Sequence, residues 1–145
     1  MSRELRFFWN ADESAYPPEF MAGARIDYHK IDTGIAELVS KINGTTWAET
    51  IMSCEGHTEK DDPYSPTPEI WLRVFDGEGL LRLYDWLARA IKVRQATSTC
   101  YKSSKIIDLE FVGKTRHGYF FCLYATKFVS AIENRRIIDA LTETL

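Results

Sequence analysis

The chain has 145 residues, a formal charge of −3 and a pI near 5.6, and is 45% hydrophobic and 13% aromatic. That length suits a single domain over residues 1–145, and the apolar content supplies a substantial core rather than a disordered chain. The mild acidity argues against a nucleic-acid partner, which asks for a basic face, and no apolar run approaches the roughly 20 residues of a membrane span.

Three widely spaced cysteines, Cys54, Cys100 and Cys122, make an odd set and no disulfide framework. The first six residues lead into no signal-peptide core. Reduced thiols and a cytoplasmic location are the expectation.

In chain order, residues 4–9 are dense in aromatic and apolar side chains and predict a strand. Residues 10–18 break regular structure at Pro17-Pro18, and residues 25–28 read as a short strand or an edge loop. Ile35, Leu38, Val39 and Ile42 then fall at i, i+3, i+4 and i+7, the stripe of an amphipathic helix. Asp32 or Thr33 is placed to cap its start, and Gly44 to close its end in a left-handed conformation. Residues 45–53 turn β-prone. Residues 59–68, with Asp61, Asp62, Pro63, Pro66 and Pro68, read as a loop.

Residues 69–75 alternate as a strand with two largely apolar faces, which predicts a central position. Residues 77–93 predict a second helix on the stripe Leu80, Leu81, Tyr84, Leu87, Ala88 and Ile91. Residues 105–112 and 119–128 form a predicted hairpin through the turn at 113–118. Ser130 and Glu133 have the spacing of a capping box and open a C-terminal helix carrying Ile137, Ile138, Leu141 and Leu145.

The resulting order, β-α-β-β-α-β-β-α, predicts an α+β fold. The expected form is a two-layer sandwich with helices on one face of a mainly antiparallel sheet. A ferredoxin-like β-α-β-β-α-β core with an extra strand and a C-terminal helix is the expected arrangement, and that architecture by itself assigns no activity.

One segment gathers chemistry: Thr50, Ser53, Cys54, Glu55, Gly56 and His57, where a predicted strand gives way to a loop. Three functional readings stay open. Cys54 and His57 have zinc-compatible spacing, but zinc takes four ligands, or three and a water, and no second close pair exists, so no metal is assigned. Cys54 could instead be a catalytic nucleophile activated by His57. In the third reading Thr50, Ser53, Glu55 and Gly56 form a loop that binds a small polar or anionic ligand. A plain turn, with Cys54 and His57 satisfying local hydrogen bonds, is the alternative to all three.

The string from Thr50 to His57 is similar to the Ser-Cys-x-Gly segment of the wybutosine-synthesis methyltransferase family, matching at Thr50, Ser53, Cys54 and Gly56 with His57 where that family carries arginine. The resemblance implies S-adenosylmethionine as cofactor and a tRNA nucleoside as substrate. The Ser-Cys-Glu-Gly-His string also resembles small bacterial and phage proteins of unassigned function, which are nearer in size. From the residues alone, the cofactor stays unassigned and a small-molecule ligand is the expected partner. An enzyme is the runner-up, followed by a homodimeric interaction module using Trp71, Phe75 and residues 119–121.

Overall fold

The computed structural model describes residues 31–57, 66–97 and 107–145, with backbone alone at 94–97. The strand expected at 4–9, the break at 10–18, residues 25–28, His29, Asp61, Asp62, Pro63 and Cys100 lie outside the described residues. A single 3-10 turn, Thr33–Ile35, leads into helix α1, Ala36–Gly44. Strands β1, Ala48–Cys54, and β2, Glu69–Val74, come next. Helix α2, Gly77–Thr97, is succeeded by the hairpin β3, Ile107–Thr115, and β4, Gly118–Ala125, and then by α3, Ala131–Thr144.

The fold is α+β. The described strands make an antiparallel sheet in the order β1-β2-β4-β3. The β3–β4 hairpin forms, although β4 stops at Ala125 rather than at 128. In a ferredoxin-like sheet the second place beside β2 belongs to the opening strand. Here β4 holds it, pairing with β2 from Glu69 to Val74.

All three described helices bury their apolar sides with one face of the sheet. Ile35, Leu38 and Ile42 of the α1 region meet Ile70, Leu72 and Val74 of β2, Phe121 and Leu123 of β4, and Ile137, Ile138 and Leu141 of α3. Helix α3 contacts both α1 and α2. It has no glycine closure, and its last carbonyls are served by neighbours: Trp86 Nε1 donates to Leu141 O at 2.9 Å and Lys41 Nζ to Thr142 O at 2.7 Å. Those donors from α2 and α1 satisfy groups that a helix end otherwise leaves orphaned, and they dock α3 between its neighbours.

Three sequence expectations need correction. Helix α2 packs on Leu83, Trp86, Leu87 and Ala90, with Leu80 and Ile91 against the same core, so half of the expected stripe faces inward. Leu81 is 73% and Tyr84 60% exposed, and Ala88 is exposed as well. The buried face is rotated toward Leu83 and Trp86, whose indole N–H donates to a carbonyl on α3 as the ring is buried. Gly44 is not left-handed: among the described residues only Gly56 and Gly118 have positive φ. The Thr45 amide and hydroxyl instead close α1, both donating to Ile42 O, at 3.1 and 2.7 Å. Finally, Phe120 and Phe121, expected to furnish a dimer face, are 0% and 4% exposed within the single chain. Phe121 belongs to the helix-side core, and Phe120 is buried on the opposite face of the sheet.

Asn43 and Thr50 tie α1 to β1. Asn43 Nδ2 donates to Thr50 Oγ1 at 2.9 Å and Thr50 N donates to Asn43 Oδ1 at 2.8 Å, with both residues buried. Asn43→Ala leaves a buried amide and a buried hydroxyl unpaired, and each such group costs about 1–3 kcal/mol. The expected loss in urea unfolding is therefore about 2–6 kcal/mol. The exposed Ser40→Ala on the same helix should stay within about 0.5 kcal/mol of the parent.

Candidate functional site

Strand β1 carries a register slip between Thr50 and Met52. A bulge adds a residue and re-phases the remainder of the strand, so Met52, Ser53 and Cys54 pair with Trp71, Ile70 and Glu69 respectively. Beyond Cys54 the chain leaves the sheet and turns at Gly56, whose φ is +92°. That turn brings the Gly56 amide to 3.4 Å from Cys54 Sγ, to which it donates. A side chain at this position would be strained twice over, by the backbone angle and by contacts of 2.6 Å with Asn134 Nδ2 and 3.0 Å with Pro66 O.

Asp32 enters the site from the other end of α1. Its carboxylate does not cap the helix; no side-chain cap bond forms there. Oδ2 instead accepts from Glu55 N at 3.0 Å and lies 3.0 Å from His57 Nε2. Asp32, Cys54 and His57 thus present one donor atom each, all within 4.8 Å of one another, and Cys54 is 8% exposed.

Next to this trio lies a cavity of about 210 Å³ lined by Glu55, Gly56, Ala131, Asn134, Arg135 and Ile138. Asn134 crosses to the strand side, donating from Nδ2 to Pro66 O at 2.8 Å. Arg135 is held by Asp139, at 2.7 Å from Nη2, and donates to Gly34 O. The start of α3 borders the cavity, and the Ser130 hydroxyl caps it by accepting from Glu133 N at 3.1 Å. The return half of the expected capping box is replaced by an ion pair of Glu133 with Arg136 at 3.0 Å.

The residues singled out in the sequence therefore separate. Cys54, Glu55, Gly56 and His57 gather at the end of β1, Cys54 and His57 with Asp32 and Glu55–Gly56 along the cavity. Thr50 is buried at the Asn43 clamp and serves the fold. Ser53 is half-buried within β1, paired with Ile70. Sequence reasoning missed Asp32 as a site residue, along with Asn134 and Arg135. Asp32 has the type and position of a helix cap, and the other two sit on a helix whose strongest local signal is its apolar stripe. His117 lies in the β3–β4 turn, where Arg116 Nε donates to its Nε2 at 3.1 Å.

Cys122 is a thiol of a different kind. It is 6% exposed, and its Sγ donates to Glu69 Oε1 at 3.4 Å, the same oxygen that accepts from Trp71 Nε1. Burial, then the negative charge of Glu69, the hydrogen bond to it and the charge of Glu110 hold this thiol protonated far above its ordinary value of 9.0. Compared with known family models, curated proteins and solved structures, the chain shows no significant match, so the geometry carries the functional argument.

Gly56→Ala should cost about 1–3 kcal/mol in thermal or urea unfolding, the scale of a residue forced into a sparsely allowed backbone region. Cys122 makes a second expectation, because a raised thiol pKa contributes stability that is complete below the unfolded value and lost as pH rises past it. Unfolding free energy should thus decline from about pH 9 upward, and the decline should be shallower in Cys122→Ala, measured by urea unfolding between neutral pH and about pH 10.5.

Proposed function

We propose that this protein binds a small polar ligand bearing an anionic group, in the cavity between Glu55–Gly56 and the first turns of α3. The observation that carries the reading is the cavity itself, set against the loop where β1 ends. Its walls are chemically mixed. Ala131 stands at the start of α3, where backbone amides and the helix dipole favour negative charge, and Arg135 adds a guanidinium. Glu55 reaches toward Gly34 beside the Arg135 guanidinium, so acid and base stand together at one edge of the cavity and suit a ligand carrying both charges, while Ile138 supplies an apolar wall.

Size narrows the class. Sites for drug-sized ligands run to about 300–1,000 Å³. A cavity of about 210 Å³ accommodates an amino acid or a small organic acid. The salt bridge from Arg135 to Asp139 offsets part of the positive charge, which favours a ligand with both polar and anionic ends over a bare multivalent anion. Free thiols at Cys54 and Cys122 fit the reducing interior of a cell.

The test is a nuclear magnetic resonance titration of the full chain with amino acids, small dicarboxylic acids and inorganic phosphate. Amides of Glu55, Gly56 and residues 131–135 should shift together and saturate with an amino acid or a dicarboxylate. Ala131→Trp, a change at an exposed position on the cavity rim, should abolish the shifts and leave the rest of the spectrum in place. Shifts confined to other surfaces, or shifts indifferent to Ala131→Trp, would remove the proposal.

A further inference from the structure

We propose that Asp32, Cys54 and His57 form a three-ligand binding site for a thiophilic divalent cation of the zinc type. The proposal is independent of the cavity ligand and rests on convergence of three chemically different donors. Their ligand atoms lie within 4.8 Å of one another. A tetrahedral zinc ion, about 2.0 Å from nitrogen and oxygen and about 2.3 Å from sulfur, needs such atoms roughly 3.3–3.6 Å apart. The His57 Nε2 to Asp32 Oδ2 separation of 3.0 Å is already close to that spacing. Small side-chain rotations close the remainder.

The same distances argue against a thiol–imidazole–carboxylate relay. In such a relay the thiol and the carboxylate sit at opposite ring nitrogens, which places them roughly 7 Å or more apart, two hydrogen bonds plus the ring. Here sulfur and carboxylate oxygen both lie within 4.8 Å of the same ring nitrogen and of each other. The three donors surround a point instead of forming a line.

Charge points the same way. A thiolate, a carboxylate and a neutral imidazole sum to −2, which a divalent cation neutralises. Sulfur with nitrogen and oxygen donors selects zinc-like ions over magnesium or calcium, which prefer oxygen alone.

The outer contacts suit a ligand set. Glu55 N–H donates to Asp32 Oδ2 and fixes the carboxylate, and Gly56 N–H donates to Cys54 Sγ and orients the sulfur. Both donors belong to the turn made possible by the positive φ of Gly56. Three protein ligands leave a coordination position for water or a substrate atom, as in zinc sites that do chemistry.

The test is titration of the reduced, full-length protein with cobalt(II), followed by zinc competition against a chromophoric chelator. One cobalt per chain should give tetrahedral visible bands and a thiolate-to-cobalt charge-transfer band, and zinc should displace both. Asp32→Asn and His57→Gln should each weaken zinc binding at least about 100-fold, at or beyond the upper end for loss of a supporting contact. Cys54→Ser should abolish the charge-transfer band, while Cys122→Ala and His117→Ala leave it intact. Circular dichroism of each variant separates loss of the site from loss of the fold. Should Cys54→Ser not fold, Asp32→Asn and His57→Gln decide alone, because both residues are partly exposed. Absence of stoichiometric cobalt, or a charge-transfer band that survives Asp32→Asn and His57→Gln unchanged, would overturn the proposal. Neither outcome touches the cavity reading, whose titration is run on the same protein without metal.

Discussion

The reciprocal pair between Asn43 and Thr50 is the constraint on which the site geometry depends. Two hydrogen bonds between buried partners fix the end of α1 against the middle of β1 and allow one register between helix and strand. From that point the two elements run back alongside each other. The start of the helix comes to the end of the strand, and Asp32 meets Cys54 and His57 although 22 or more residues separate them. A slip of one residue at the clamp would shift β1 by about 3.3 Å and dissolve the cluster.

Helix α3 completes the arrangement from the other side. Its C-terminal carbonyls are held by Trp86 of α2 and Lys41 of α1, and its first half is bonded to the segment before β2 through Asn134 and Pro66, both of which lie against Gly56. The same docking that buries Ile137, Ile138 and Leu141 therefore also sets the width of the cavity at Gly56. Packing and site formation are one event here. A substitution that loosens α3 is expected to alter the cavity before it alters the sheet.

The two described cysteines illustrate how neighbours decide chemistry. Cys122 sits between carboxylates on a buried strand, where ionisation is suppressed and the thiol only donates a hydrogen bond. Cys54 sits at a strand end, receives a backbone N–H and has an imidazole as well as a carboxylate close by. Burial is similar for both. The difference lies in whether donors or only acceptors surround the sulfur.

Periodicity was enough to locate α1, β2, the β3–β4 hairpin and α3, because each carries a local pattern or turn that survives any packing. The segment from Cys54 to His57 was legible as chemistry for the same reason: reactive residue types crowd beside a glycine. Local pattern could not fix which edge of the α2 stripe turns inward, since Leu81 with Tyr84 and Leu83 with Trp86 are equally periodic and only packing against α3 and the sheet buries the latter pair. Nor could it place β4 beside β2, which depends on pairing between strands far apart in sequence. Asp32 shows the limit most sharply. Its residue type and position specify a helix cap, yet its carboxylate is better satisfied by the amide of Glu55 and the ring of His57, partners that exist only once β1 has folded back along α1. The chain's own order thus determined its elements and the crowding of thiol, carboxylate and imidazole side chains after β1. Tertiary structure alone decided which distant side chains converge there, because convergence is set by the lengths and registers of packed elements and not by any neighbour in sequence.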